Sequence, residues 1–165
     1  MPDPDPRDTP GPAEPPAPTS AVDRLAPEPT SVADLLAEAR AAQRAAGIRR
    51  PTAAELPALL TDGAHLIDIR TPWTRDTEGH VPGGIVVEHT VLLWRLDPAS
   101  PNRMAGGPGP DDLVIVMCNE GYQSTLTAEA LRRLGFSRAT DLADGFRGYA
   151  AAGLPIAAHP TRYVT

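Results

Sequence analysis

The sequence predicts an α/β fold with a mostly parallel sheet, and two observations carry that prediction. From about residue 50 onward, short apolar runs that suit strands alternate with stretches of helical period. One run, Leu113–Cys118 (LVIVMC), is apolar throughout and rich in β-branched residues, the pattern of a strand buried on both faces.

Residues 1–30 stand apart from the rest. They hold ten of the twenty prolines and carry six acids against two arginines, a net charge of −4. Proline at that density removes backbone donors, and too few large apolar residues accompany it to offset the entropy of ordering. A disordered acidic tail is expected there, with a globular domain over residues 31–165. Ser31 reads as a helix N-cap with Asp34 in the capping-box position. Val32, Leu35, Leu36 and Ala39 form an apolar stripe behind it, and Gly47 ends the helix. Thr52–Leu60 predicts a second short helix, capped by Thr52 with Glu55 three residues on and interrupted at Pro57.

The alternation then begins. His65–Ile69 is a short strand, and Gly84–Glu88 is another, reached through the turn residues Pro82 and Gly83. Thr90–Leu96 is a short helical turn, and Ala99–Pro110, rich in Pro and Gly, is a surface loop. After the buried strand ending at Cys118, Ser124–Leu134 is an amphipathic helix with Leu126, Ala130, Leu131 and Leu134 inward, closed by Gly135. Ala139–Ala143 is the last clear strand, followed by a helix around Phe146–Ala152. There is no internal repeat.

Composition narrows the function classes. One cysteine in 165 residues leaves no intrachain disulfide and no cysteine-rich zinc site. A solitary thiol is most at home in a reducing cytoplasm, and a cytoplasmic protein is expected. The N-terminus lacks the basic and apolar regions of a secretory signal, and no apolar run approaches membrane-spanning length. Beyond residue 30, 15 acids face 13 bases, so no basic field for nucleic acid exists. All fifteen basic residues are arginine, which weakens any argument from a single guanidinium. Neither His80 nor His89 has a second histidine at ligand spacing, so no metal is expected.

In open parallel sheets, sites form outside the carboxyl ends of the strands. The residues at those ends are Asp68 with Arg70, Glu88, Cys118, and Asp141 to Asp144. Cys118 stands out because NEGYQS (Asn119–Ser124) runs from it straight into a helix. In such a loop, backbone N–H groups turn inward on the side chain at its start, and the helix N-terminus adds a positive dipole end. An anion carried on the sulfur would be cradled there. Gly121 permits the sharp turn. The competing reading is that Cys118 is simply the last core residue of its strand.

Four ordered segments decide between these. LIDIR (Leu66–Arg70), GHVPGG (Gly79–Gly84), VIVMCNEGYQS (Val114–Ser124) and DLADGFRGYAAAGLPI (Asp141–Ile156) resemble the rhodanese family in order and spacing. EHTVLLWRLDP with the CNEGY loop further resembles an actinobacterial branch. The resemblance implies a rhodanese fold, a parallel sheet of about five strands with helices on both faces. It also implies a cofactor-free sulfurtransferase in which the Cys118 thiolate takes the sulfane sulfur of a thiosulfate- or persulfide-type donor. The resulting persulfide passes the sulfur to a thiol or other nucleophile, a protein acceptor included. Asn119, Glu120, Gly121, Tyr122, Gln123 and Ser124 are then the substrate-binding loop. Related cell-cycle phosphatases carry arginine six positions after the cysteine, where this chain has Ser124.

Departures from the family pattern matter too. Asn119 and Gln123 stand where thiosulfate-using members often have arginine, Glu120 adds a negative charge, and thiosulfate is therefore expected to be a poor donor. Arg75, Arg95 and Arg147 are the arginines that could restore the charge from outside the loop. Asp144 stands where glycine is common, and Tyr149 where tryptophan is. Asp68 and Arg70 read either as an ion pair buttressing the cysteine loop or as a substrate contact, the first being favoured. Glu88 is expected to pair with Arg95, His80 to anchor its turn, and Trp73 and Trp94 to pack in the core or at its rim. Two other classes remain open: a binding or regulatory module without turnover, and a redox-sensing thiol.

Overall fold

A computed structural model describes residues 31–164, so the expected disordered tail lies outside the described residues. Five strands form one parallel sheet in the order β4-β3-β1-β2-β5. They are β1 (His65–Asp68), β2 (Ile85–Val87), β3 (Val114–Met117), β4 (Thr140–Asp141) and β5 (Arg162–Val164). The helices are α1 (Val32–Ala45), α2 (Leu56–Thr61), α3 (Pro72–Glu78), α4 (Leu92–Leu96), α5 (Gln123–Arg133) and α6 (Gly145–Ala151), with a 3-10 turn at Ala53–Glu55 before α2.

Strand alternation divides the apolar residues between two cores. Ile67, Val114 and Val116 pack with Leu92, Leu96, Ala128 and Leu131 on the α4 and α5 side. Leu66, Ile115 and Met117 pack with Leu56, Phe146 and Tyr149 on the α2 and α6 side. Because both faces are covered, β3 reads as a continuous apolar run rather than an alternating one. Each fully buried Leu, Ile or Phe contributes about 1.5–3 kcal/mol. The α/β fold with a five-stranded parallel sheet is as expected.

Several expectations need correction. Pro57 lies at the first turn of α2, where a missing N–H is harmless, so it starts that helix rather than interrupting it. Leu134 is exposed, and Ala128 and Leu131 face the core with Ser124, Thr125 and Thr127. Trp73 and Trp94 are 79% and 58% exposed, so neither is a core residue. Met104, within the expected surface loop, plugs the α4 side of the core. Helix α3 and strand β5 had no counterpart in the sequence reading.

Candidate functional site

In the sheet, β1 has β2 on one side and β3 on the other, so a crevice opens where the chain diverges past their carboxyl ends. A cleft of about 400 Å³ lies there. Ile69, Arg70 and Thr71 line it from the end of β1, and Cys118, Asn119 and Gln123 from the end of β3, with Thr74 and His89 completing the wall.

The loop leaving β3 turns back on the sulfur. Gly121 has φ +75°, and its N–H donates to Cys118 Sγ at 3.2 Å. The Ser124 N–H donates to the same atom at 3.4 Å, and Ser124 Oγ lies 3.2 Å away. These are the inward-turned donors that the loop pattern predicted, although only two of its amides reach the sulfur. A Cβ at Gly121 would sit 2.7 Å from Arg50 Nη2, so both the φ and the space require glycine.

What holds the loop was not visible beforehand. Asp141, at the end of β4, is fully buried and accepts from Arg50 Nε at 3.0 Å and Nη2 at 2.8 Å. It also accepts from Thr125 Oγ1 at 2.8 Å and Ser124 Oγ at 3.3 Å. Arg50 Nη2 donates onward to the Gly121 carbonyl at 3.1 Å, joined by Arg40 and Thr125. The carbonyls of Cys118 and Asn119 accept from the N–H groups of Phe146 and Arg147 at 2.9 and 3.0 Å. This close approach works because residue 145 is glycine, where a Cβ would lie 2.5 Å from the Cys118 carbonyl oxygen. Asp144 just before it has φ 60°, the conformation that suits the glycine common in the family.

Asp68 and Arg70 form a buried pair. Arg70 donates to Asp68 through Nε and Nη2, the latter at 2.7 Å, and through its backbone N–H at 2.9 Å. Nη2 also reaches the Gly79 carbonyl, and the guanidinium lies 3.7 Å from the Phe146 ring centre. The pair thus ties the end of β1 to the turn at Gly79 and to α6, and Arg70 also lines the cleft.

The outer loop residues divide. Asn119 and Gln123 face the cleft, Glu120 turns outward to pair with Arg147, and Tyr122 is exposed with Arg40 near its ring. Glu88 pairs with Arg75 and accepts from Tyr163 Oη, while Arg95 donates to the Asn102 carbonyl, so the expected Glu88–Arg95 pair does not form. Burial pushes the Glu88 carboxyl up, but the Tyr163 and Arg75 donors hold it below its ordinary value. His80 anchors its turn through backbone bonds to Ala157, not through its ring, whose Nδ1 has no partner among the described residues. None of Arg75, Arg95 and Arg147 lines the cleft.

Ile69, Thr71, Thr74 and His89 are the cleft residues that sequence reasoning did not select. Thr71 and Thr74 carried one signal, since a Thr-Pro pair opens a helix and Thr71 Oγ1 accepts from the Thr74 N–H. His89 Nε2 lies 3.1 Å from Thr127 Oγ1 and 3.3 Å from Gln123 Nε2. The Thr127 hydroxyl also donates to the Gln123 carbonyl at 2.9 Å. Among the described residues, no three His, Cys, Asp or Glu side chains converge as a metal-binding group, and no helix is long and apolar enough to cross a membrane.

The profile of the rhodanese-like domain matches residues 52–152, well over half of the chain. This chain belongs to the rhodanese-like family. Thiosulfate sulfurtransferase GlpE of Actinobacillus pleuropneumoniae is 34% identical over 95 residues, covering 58% of this chain and 79% of that one. A Synechococcus elongatus protein provisionally assigned as a thiosulfate sulfurtransferase is 30% identical over 112 residues, 59% of this chain but 34% of that one. The rhodanese-like chain therefore spans about a third of the length of the Synechococcus relative.

Among solved structures, a Rhodopseudomonas palustris protein of unknown function, described as a possible tyrosine phosphatase, superposes with TM-score 0.64. It is 26% identical, over 80% of this chain and 98% of that one. The human single-domain sulfurtransferase TSTD1 superposes with TM-score 0.53 at 23% identity, over 62% of this chain and 95% of that one, a likeness of fold. The rhodanese-like domain thus has relatives named for sulfur transfer and a fold neighbour described as a possible phosphatase.

Proposed function

We propose that this rhodanese-like domain is a sulfurtransferase in which Cys118 carries sulfur as a persulfide. The observation that carries the reading is the convergence of the Gly121 and Ser124 N–H groups on Cys118 Sγ, with Ser124 Oγ 3.2 Å away, in an open cleft. Fixed backbone donors aimed at an atom where negative charge sits stabilise that charge without rearrangement. The Cys118 thiolate attacks the sulfane sulfur of a donor, forming a sulfur–sulfur bond as the rest of the donor leaves with the bonding pair. A nucleophile such as cyanide or a thiol then attacks the outer sulfur and releases the Cys118 thiolate.

Asn119 and Gln123 contact the donor, while Asp68 and Arg70 support the cleft wall. No organic cofactor enters the cycle. Residues 31–165 form the working domain and residues 1–30 an appendage to it. Phosphoryl transfer is less well supported, because the position that would supply a guanidinium holds Ser124 and each arginine around the loop contacts a carboxylate or a loop carbonyl.

The test is intact-protein mass spectrometry after incubation with thiosulfate and, separately, with a small organic persulfide. A gain of one sulfur that cyanide reverses and Cys118→Ser abolishes is the expected result, with thiosulfate the weaker donor. No gain from either donor, on folded protein with a titratable thiol, would replace this reading with a binding module or a redox-sensing thiol.

A further inference from the structure

We infer that the cleft at Cys118 continues into an apolar subsite between α4 and α5, and that the sulfur donor is an organic sulfane-sulfur compound whose apolar body lies there. The inference rests on the sulfur-transfer reading and names the class of donor. His89 and Gln123 line the Cys118 cleft and also a second groove of about 160 Å³. Their side-chain contact is the saddle between the two, so a molecule with its sulfur at Cys118 can lay its other end across it.

Beyond the saddle the groove is walled by Leu93, Trp94, Leu126 and Ala130, with no carboxylate or guanidinium in its lining. Trp94 is more than half exposed, and Leu93, Leu126 and Ala130 are only half-buried. At roughly 30 Å³ for each water-sized group, the groove holds about five such groups.

Charge argues the same way from the other end of the molecule. Among the described residues, the one guanidinium lining the cleft is Arg70, held by Asp68. Arg147 is engaged by Glu120 and Glu78, Arg75 by Glu88, and Arg50 by Asp141. Among the described residues that line the cleft, a small dianion finds no uncommitted arginine, whereas an apolar body finds a groove that gains from being covered.

The n-alkanethiosulfonates, from methane to octane, test this on the full chain because every member carries the same singly charged head. Attack by the Cys118 thiolate on the outer sulfur forms the Cys118 persulfide. The bond to the sulfonyl sulfur breaks with its electron pair on the departing alkanesulfinate. The second-order rate constant for sulfur loading, read by intact mass, should rise about two- to fourfold with each methylene up to about five carbons and then level off. Trp94→Ala should lower the pentane-to-methane ratio at least threefold, while Trp73→Ala, on α3, retains the wild-type ratio. Equal rate constants along the series, with Cys118 still loaded, overturn the subsite and leave sulfur transfer standing. A steep series that Trp94→Ala does not flatten overturns the location. Failure of every donor to load Cys118 overturns both readings.

Discussion

Beneath the cysteine loop, Arg50, Thr125 and Ser124 close on one buried carboxylate, Asp141, and the Gly121 carbonyl faces Arg50, Thr125 and one further donor, Arg40. Above the loop, facing the cleft, stand Asn119 and Gln123, neutral side chains, the second of which lies 3.3 Å from His89 Nε2. The Asn119 Oδ1 atom is buried there without a hydrogen-bond partner among the described residues. The inner side is a charged, fully engaged network, and the outer side is adaptable. The difference teaches that the fold fixes the sulfur from below, and under the proposed function the choice of ligand would fall to the face above.

The largest effect should come from the inner side. Asp141→Asn leaves Arg50 without its charge partner, and breaking such a buried pair should cost about 3 kcal/mol in urea unfolding. A loss no greater than that of an outer-face substitution would break the comparison. Gly121→Ala forces an L side chain into a positive φ against Arg50, so stability should fall by about 1–2 kcal/mol, with sulfur loading lost more steeply than stability. Gln123→Ala, on the outer side, should change stability by no more than about 0.5 kcal/mol while altering the relative rates with different donors.

The smallest effect sharpens the contrast through pH. Burial holds the His80 imidazole below its ordinary value of 6.5, against the raising influence of Asp68. The unfolded chain then takes up the proton first, so stability is fully present above that value and declines as pH falls below it. The urea midpoint should drop between pH 7.5 and 5.5, and less so in His80→Gln.

The parts of the fold legible in the sequence were those written in contiguous residues. β3 announces itself as an apolar run, and the loop after β3 shows its Cys, Gly and Ser in one short segment. β5 was missed because three half-exposed residues at a sheet edge carry no periodic signal. α3 was missed because its sequence, PWTRDTE, has no apolar stripe, and only the Thr-Pro start betrays it. The site's support was illegible for a different reason. Arg50 and Asp141 are 91 positions apart, and nothing local in either segment points to the other. Pairing Glu88 with Arg95 by sequence proximity failed because Arg75 reaches Glu88 from another helix. Both tryptophans were assigned by residue type to packing, yet the fold leaves them at the surface.

Two of the three groups that surround Cys118 Sγ are main-chain amides. A mutation changes what hangs from the backbone, not the N–H itself, so this part of the machinery is nearly invisible to sequence drift. Positions 119, 122 and 123 are therefore open to wholesale exchange, by selection or by a designer, without rebuilding the cradle beneath. Under the proposed function, a library restricted to those three positions would explore new ligands above an unchanged cysteine loop.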